Sequence, residues 1–166
     1  MYQLILPTAD LQQSYIDYIT ELGDEERYPF PLDFDHSDFP ALLQRIDNFR
    51  LGIDIPEGFV QSTTLWLVSG NDIVGCTNIR HRLNAKIEHC GGHIGLGIRP
   101  RYRGQGLGIE LMQRSIDKAR EFGVQTVHIH CHTDNEPSRR MIEACGGQLH
   151  STITVGDEHV SRYLVK

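Results

Sequence analysis

The sequence predicts an α+β domain in which helices cover both faces of a mixed sheet. Two pairs of short apolar segments, one in the middle of the chain and one at its end, are joined by tight glycine-containing turns, as antiparallel hairpins are. Amphipathic helical segments separate these pairs, and one of them follows its strand directly through a glycine-rich turn. We therefore expect the order β-α-α-β-β-β-α-β-α-β-β, arranged in three layers.

The first half of the chain begins with a short strand and two helices. An apolar strand is expected at residues 3–6, and Asp10 is placed to cap a helix over residues 11–22. Residues 24–39 are rich in acids, prolines and phenylalanines, which predicts an irregular loop, and loops of this length are usually functional or loosely ordered. An apolar stripe at helical spacing predicts the second helix over residues 38–49.

The second half of the chain supplies the remaining strands and two more helices. The sequence Ser-Gly-Asn-Asp is a hairpin turn between two strands, and the last two strands meet at a Gly-Asp turn. The helix after the glycine-rich turn reaches Phe122, and a later helix begins with Pro137, where a missing N–H does no harm. The expected strands are 63–69, 73–82, 92–98, 125–131, 148–155 and 159–165, and the expected helices are 107–122 and 137–145.

Length and composition indicate one soluble domain spanning residues 1–166. The formal net charge of −6 argues against general affinity for nucleic acid or membranes, so a local arginine cluster favours a small anionic ligand. No segment has the roughly 20 apolar residues that span a bilayer, and the N-terminus lacks the features of a signal peptide. The four cysteines show no C-x-x-C pairing, so we expect reduced thiols and a cytoplasmic protein.

The turn between the strand at 92–98 and the following helix combines arginine side chains with glycines that leave the backbone accessible. Glycines let the backbone approach a ligand, and the helix N-terminus points unpaired N–H groups and its positive dipole end into the same turn. Together these features predict a phosphate cradle. The alternative is a connector without a ligand, but three arginines so close together would repel one another without an anion. The residues are Arg99, Arg101, Arg103, Gly104, Gly106 and Gly108.

Two motifs resemble the GNAT superfamily of N-acetyltransferases. The sequence RGQGLG at residues 103–108 is similar to that family's acetyl-CoA signature, Arg/Gln-x-x-Gly-x-Gly/Ala, and residues 98–102 resemble its V-x-P-x-Y lead-in. After the fifth strand, Asn135 and Ser138 align with the family's Asn-x-x-Ala/Ser motif. From the residues alone, Asn135 is equally a helix cap, and the two roles are compatible.

The resemblance implies a GNAT fold, acetyl-CoA as the acetyl donor, and a set of cofactor contacts. Asn135 would bond the pantetheine arm, with Ser138 near the cofactor, and the glycine-rich turn would hold the diphosphate. The implied cofactor-binding residues are Ile98, Arg99, Arg103, Gly104, Gln105, Gly106, Leu107, Gly108, Asn135 and Ser138.

Acetyl transfer also needs an oxyanion donor, a base and an acid. A backbone N–H of the strand at 95–98 is placed to meet the thioester oxygen, and the glycines there would let the thioester lie flat. Among His81, Glu88, His89 and His93, we select His93 as the base, with a structural or solvated histidine as the alternative. In many relatives a tyrosine protonates the leaving thiolate, but the matching position here is Ile142.

A row of three histidines lies on one predicted strand. His128, His130 and His132 alternate, so their side chains share one face, a spacing that can bind zinc. No acidic or thiol ligand alternates with them, and both faces of a central strand are expected to be covered by helices. We therefore expect packed, hydrogen-bonded histidines and no metal site, with His132 reaching toward the cofactor.

These observations predict an N-acetyltransferase that moves an acetyl group directly from acetyl-CoA to a small-molecule or peptide amine. Relatives often pair sheet edges between subunits, which implies a homodimer. Two other functions remain open. One is a non-catalytic acyl-CoA sensor, which Ile142 would suit. The other is a nucleotide-binding domain. Two absences argue against it: the sequence has no P-loop lysine, and no G-x-G-x-x-G fingerprint follows the first strand.

Overall fold

A computed structural model describes all 166 residues, in seven strands and five helices. The predicted α+β class and element order are confirmed, with one additional helix of five residues between the third and fourth strands. The strands are β1 Gln3–Ile5, β2 Ser62–Ser69, β3 Asp72–Arg80, β4 Ile94–Ile98, β5 Val127–His132, β6 Gln148–Val155 and β7 Glu158–Val165. The helices are α1 Gln12–Leu22, α2 Phe39–Leu51, α3 Ala85–His89, α4 Leu107–Glu121 and α5 Glu136–Ala144.

The strands form two antiparallel sheets, where the sequence predicted one mixed sheet. The first has the order β1-β2-β3-β4, and the second has the order β5-β7-β6. One isolated bridge between Gly92 and Ile129 joins them, just before β4 begins. Beyond this bridge β4 and β5 do not pair, so each leaves a free backbone edge.

The helices cover the two faces as expected. On one face, α1 and α2 pack against β2 and β3, where Tyr15 stacks on Trp66 with ring centroids 5.4 Å apart. On the other face, α4 and α5 enclose a second apolar cluster that includes Met112, Ile129 and Ile142. Burial of these apolar side chains holds β4 and β5 in place on both sides of the gap between them.

Local polar contacts explain where several elements begin. Asp38 caps α2, because its Oδ1 accepts a hydrogen bond from the Ala41 N–H at 3.1 Å. Asp10 is not a helix cap, which corrects the expectation; Thr8 instead caps a short 3-10 turn that precedes α1. The strand β4 begins at Ile94 and not at Gly92, since Gly92 has a positive φ of 72° that an extended strand does not allow.

The four cysteines are all free, and no helix is long and apolar enough to cross a membrane.

Candidate active site

The gap between β4 and β5 opens into a cavity and a groove that meet. The cavity, about 410 Å³, is lined by both strands, by α5 and by the loop after α1. The groove, about 720 Å³, runs from β4 along the glycine-rich turn to the start of α5. Because Leu96, Ile98, Arg103 and Asn135 line both spaces, one elongated ligand can occupy groove and cavity together.

The free edge of β4 supplies hydrogen-bond donors to the cavity. The Arg80 N–H donates to the His93 carbonyl, and the Arg99 N–H donates to the Val74 carbonyl, so odd-numbered residues of β4 pair with β3. In an antiparallel pair the intervening residues point their N–H and C=O groups the other way. The N–H groups of Leu96 and Ile98 therefore face the gap toward β5.

The glycine-rich turn adopts a conformation that suits glycine. Gly104 and Gly106 have φ values of +77° and +80°, and a Cβ built at either would meet no atom within 4 Å. Gly106 immediately precedes α4, and residues 106–109 line the groove. The first turn of α4 thus presents unpaired N–H groups and a positive dipole end to an unobstructed space.

Arg103 is the turn arginine that lines the groove. Its Nε donates to the Ile98 carbonyl at 2.9 Å, and its Nη2 lies 2.9 Å from Glu25 Oε1. The Arg103 and Glu25 side chains are each 47% exposed. Glu25 follows α1, so this ion pair connects the loop on one side of the cavity to the glycine-rich turn on the other.

The other two turn arginines are neutralised within the protein. Arg99 is 2% exposed, its Nε lies 2.6 Å from Glu21 Oε2, and its Nη1 donates to the Ile73 carbonyl. Arg101 bonds the other oxygen of Glu21. Burial opposes ionisation of Glu21, but hydrogen bonds from Arg101 and Arg99 outweigh it and lower its pKa. Arg99 lines neither the groove nor the cavity, and the arginine cluster is neutralised by Glu21 and Glu25 without an external anion, contrary to the expectation from the sequence.

The remaining expected cofactor residues lie on the groove, with one exception. Gln105 is exposed and does not line either space. Asn135 Oδ1 caps α5 by accepting from the Ser138 N–H at 3.2 Å, and both residues line the cavity. The residues that line the groove are Ile98, Arg103, Gly104, Gly106, Leu107, Gly108, Asn135 and Ser138.

The loop after α1 covers the two glycines of β4. A Cβ at Gly95 would lie 2.7 Å from the Tyr28 hydroxyl oxygen, and a Cβ at Gly97 would lie 2.7 Å from the Tyr28 carbonyl oxygen. These glycines therefore make room for Tyr28, which corrects the expectation that they serve a flat thioester. Glu25, Glu26 and Tyr28 all line the cavity on this side.

His93 lies behind the cavity wall and not on it. The ring is 5% exposed, and its Nδ1 accepts a hydrogen bond from the His128 N–H at 2.9 Å. Burial, and then the positive fields of His128 and Arg80, lower its pKa to about 4. The lone pair that a base would use is already occupied, so this environment does not favour the expected catalytic role.

The histidines of the row on β5 lie in different environments. His130 is 8% exposed, and its Nδ1 accepts from the Gly91 N–H, while its Nε2 has no partner. Burial, followed by the charge of His128, lowers its pKa to about 4. His132 also lines the cavity, is half-exposed, and places Nδ1 3.7 Å from Glu158 Oε2. No three His, Cys, Asp or Glu side chains converge in a geometry that could hold a metal ion.

Sequence reasoning missed three tertiary contacts around the cavity. Two of them are pairs of residues far apart in the sequence: Arg103 and Glu25 are 78 positions apart, and His132 and Glu158 are 26 positions apart. The third is the packing of Tyr28, from the loop after α1, on the glycines of β4. The acidic run after α1 was the one signal in the sequence for an arginine partner.

Comparison with known proteins agrees with this geometry. The family model described as "Acetyltransferase (GNAT) family" matches residues 19–147. No sequence among the curated proteins compared with the chain matches it.

Three solved structures illustrate the likeness in fold. Ribosomal-protein-S5-alanine acetyltransferase from Vibrio fischeri is 15% identical with a TM-score of 0.72, covering 98% of this chain and 91% of that one. An acetyltransferase from Salmonella typhimurium that modifies the N-terminal serine of ribosomal protein L7/L12 is 13% identical with a TM-score of 0.69, covering 98% and 93%. The protein yncA of Salmonella typhimurium, solved with its cofactor acetyl-CoA, is 15% identical with a TM-score of 0.66, covering 99% and 93%.

Proposed function

This chain belongs to the GNAT family of acetyltransferases, and from that premise we propose that it transfers an acetyl group directly from acetyl-CoA to an amine. The observation that carries the proposal is the continuity of the groove with the cavity at the open edge of β4. A long cofactor with an anionic middle and a reactive end fits a path that begins at a helix N-terminus and ends between two strands.

The glycine-rich turn and the start of α4 would bind the diphosphate of CoA. The N–H groups of the first helical turn and the Arg103 guanidinium supply the donors, and Gly104 and Gly106 leave the approach open. Asn135 and Ser138 line the next part of the groove, beside the expected pantetheine arm. Holding the donor still in this way can contribute roughly 7–11 kcal/mol of barrier lowering.

The thioester would lie against the free edge of β4. The Leu96 N–H faces the gap, and an oxyanion that develops on the thioester carbonyl would accept its hydrogen bond there. Removal of one such donor in enzymes that use them typically costs about 100-fold to 1,000-fold in rate.

The leaving thiolate has no tyrosine acid at the usual position, because Ile142 is buried there and lines the cavity. A CoA thiol is a fair leaving group, with a pKa near the value of about 8.5 for cysteine, so the thiolate needs no dedicated side-chain acid. The same isoleucine specifically favours a second candidate function, a non-catalytic acyl-CoA sensor on this fold.

The acceptor would enter past the loop after α1. One solved neighbour modifies the N-terminal serine of a ribosomal protein, another is named ribosomal-protein-S5-alanine acetyltransferase, and a third is a spermidine N-acetyltransferase chimera. The carboxylates of Glu25 and Glu26 line this entrance, and their charge would attract a cationic amine, either small or at the end of a peptide.

We propose that the 166 residues act as one catalytic domain in the cytoplasm, where four unpaired cysteines are stable. A homodimer is the expected assembly, since β6 is an edge strand with an exposed Leu149 and Val155.

Calorimetric titration with CoA, followed by a thiol-release assay, tests the proposal. Wild-type protein should bind CoA, and with acetyl-CoA it should release thiol in the presence of spermidine or a peptide with N-terminal alanine. Gly106→Val should abolish binding while circular dichroism shows an intact fold, since a β-branched residue cannot adopt φ near +80° without strain. Binding without turnover on any amine would favour the sensor, and unchanged affinity in the variant would reject the assigned turn.

A further inference from the structure

The histidines near the cavity differ in which ring nitrogen is free to accept a proton. In His93 and in His130, Nδ1 accepts a hydrogen bond from a backbone N–H, so the neutral ring carries its proton on Nε2. In that tautomer neither nitrogen has a free lone pair. Each ring is also almost completely buried, so gaining a proton would place an unpaired charge in the protein interior.

His132 has the opposite arrangement. Its Nδ1 lies 3.7 Å from Glu158 Oε2, within ion-pair range but too far for a hydrogen bond, and no backbone N–H occupies either ring nitrogen as in His93 and His130. Because a carboxylate only accepts hydrogen bonds, a closer approach of Glu158 would favour the proton on Nδ1 and leave the lone pair on Nε2. His132 lines the cavity and its side chain is half-exposed, so a proton taken up by the ring can pass on to solvent.

Resting on the proposed function above, we propose that His132 is the general base of this acetyltransferase and that Glu158 is its positioning residue. Glu158 is the first residue of β7, and the register that pairs His132 with Val160 holds it beside the end of β5. A base with a carboxylate beside it on the neighbouring strand is an arrangement that general base catalysis can use.

The reaction balances with this assignment. A protonated acceptor amine gives one proton to His132 Nε2, directly or through one water, and its nitrogen then attacks the carbonyl carbon of acetyl-CoA. A C–N bond forms and the C–S bond breaks, the second proton from nitrogen goes to the thiolate to give free CoA, and His132 releases its proton to solvent.

Several charged or titratable groups surround the His132 ring and share its cavity or its neighbouring elements. Glu158 lies on β7 and Arg139 on α5, which packs against β5. The charged or titratable groups that line the same cavity are Tyr18, Glu25, Glu26, Tyr28, Cys90, Arg103, His130 and Cys131.

Steady-state kinetics of His132→Gln provide the first test, with spermidine and an alanine-initiated peptide as probe amines. At neutral pH we expect kcat/KM for the amine to fall about 100-fold or more, because a general base contributes about 10²–10⁴-fold. The KM for acetyl-CoA and the calorimetric affinity for CoA should not change. The deficit should shrink as the pH rises toward the pKa of the amine, about 10 for a lysine-like group, where the substrate arrives already deprotonated.

Matched variants separate a catalytic from a structural role. His150→Gln, on the exposed β6 strand and outside the cavity, should leave activity unchanged. Glu158→Gln should lower kcat without raising the KM for acetyl-CoA. Glu158→Asp, which keeps the carboxylate, should retain a larger part of the wild-type kcat. Activity of His132→Gln within about threefold of wild type at neutral pH would overturn the assignment while leaving the cofactor site intact.

Two-bond ¹H–¹⁵N correlation spectra of the histidine rings give a readout that does not depend on the acceptor. In the CoA complex we expect His132 as the Nδ1–H tautomer, and His93 and His130 as Nε2–H tautomers. If neither probe amine reacts, an Nδ1–H signal for His132 that Glu158→Gln abolishes supports the proposal, and an Nε2–H signal overturns it. If wild-type protein binds no CoA, the proposed function fails and this assignment fails with it.

Discussion

At the scale of single residues, the three arginines of the glycine-rich turn have different tasks despite their similar positions in the sequence. Arg99 and Arg101 share the Glu21 carboxylate, whereas Arg103 lines the groove and pairs with Glu25. An incoming diphosphate would compete with Glu25 for Arg103. Spacing alone identified the turn, but the partners of each arginine come from α1 and the loop after it, about 80 residues earlier.

Arg103→Gln should weaken CoA binding without a measurable loss of stability. Charge-assisted hydrogen bonds contribute about 1.5–3 kcal/mol, so we expect the calorimetric Kd to rise roughly 10-fold to 100-fold. The ion pair with Glu25 is half-exposed and contributes about 0–1 kcal/mol to folding. Arg101→Gln is the matched control, because Arg101 is exposed and does not line the groove. An equal loss of affinity in both variants would contradict a specific role for Arg103.

Arg99→Met should show the reverse pattern. Arg99 is buried and bonded to Glu21 and to the Ile73 carbonyl, and removing one partner of a buried ion pair costs about 3–5 kcal/mol. Since Arg101 still pairs with Glu21, we expect the free energy of unfolding, measured with urea, to fall by an amount at the lower end of that range. The folded fraction should bind CoA with wild-type affinity. A weakened Kd with normal stability would show that Arg99 does reach the cofactor.

At the scale of elements, the start of α5 combines a helix cap with one wall of the cofactor groove. Asn135 Oδ1 accepts from the Ser138 N–H, and both side chains line the groove. Asn135→Ala should therefore lower the free energy of unfolding by about 1 kcal/mol and weaken CoA binding.

Asn135→Ser separates these two roles, because serine caps a helix about as well as asparagine but cannot offer an amide to the cofactor. Urea unfolding should show stability restored, and calorimetry should show affinity still reduced. Full recovery of both would mean that Asn135 acts only as a cap.

The helices and strands were largely predictable from the sequence, but their exact boundaries and the elements they pack against were less predictable. Apolar periodicity predicted α1, α2 and α4, a proline at the start predicted α5, and tight turns predicted both hairpins, because these signals are local. The separation of β4 from β5 was not predictable, since it depends on which strand edges meet after the chain has folded. The glycines of β4 were noticed but misinterpreted, because nothing near Gly95 in the sequence indicates that Tyr28 packs on it.

At the scale of the whole molecule, the two buried histidines make stability depend on pH. The pKa values of His93 and His130 are about 4 in the folded protein, whereas an exposed histidine titrates near 6.5. Between these values the unfolded chain binds protons that the folded chain excludes, so the free energy of unfolding should fall as the pH falls from about 6.5 to 4. The contribution is on the order of 3 kcal/mol for each group.

Urea unfolding at about pH 7.5 and about pH 4.5 checks this dependence. His93→Gln retains an acceptor for the His128 N–H but cannot titrate, so its stability should change less across this window than that of wild type. Equal pH dependence in the two proteins would contradict the lowered pKa of His93.

In the candidate site, too, the parts that depend on local sequence motifs were predictable, and the parts that depend on tertiary contacts were not. The groove was largely predictable, because the turn, the start of α4 and the start of α5 each carry their own motif, and eight of the ten residues expected to bind the cofactor line it. The acceptor side was not, because it assembles from the loop after α1, β5 and β7, whose contacts depend on tertiary packing. His93 was selected by its position on a strand, and only burial and hydrogen bonding distinguish it from His132.

A crystal structure of the protein with CoA is the most direct measurement of the central claim, that the turn before α4 holds the diphosphate and directs the thiol between β4 and β5. We expect diphosphate oxygens within hydrogen-bond distance of the amides of residues 104–109 and of Arg103, with Glu25 displaced from that arginine and the sulfur beside Leu96. A diphosphate bound elsewhere, or a pantetheine arm that lies outside the gap between the two strands, would contradict it.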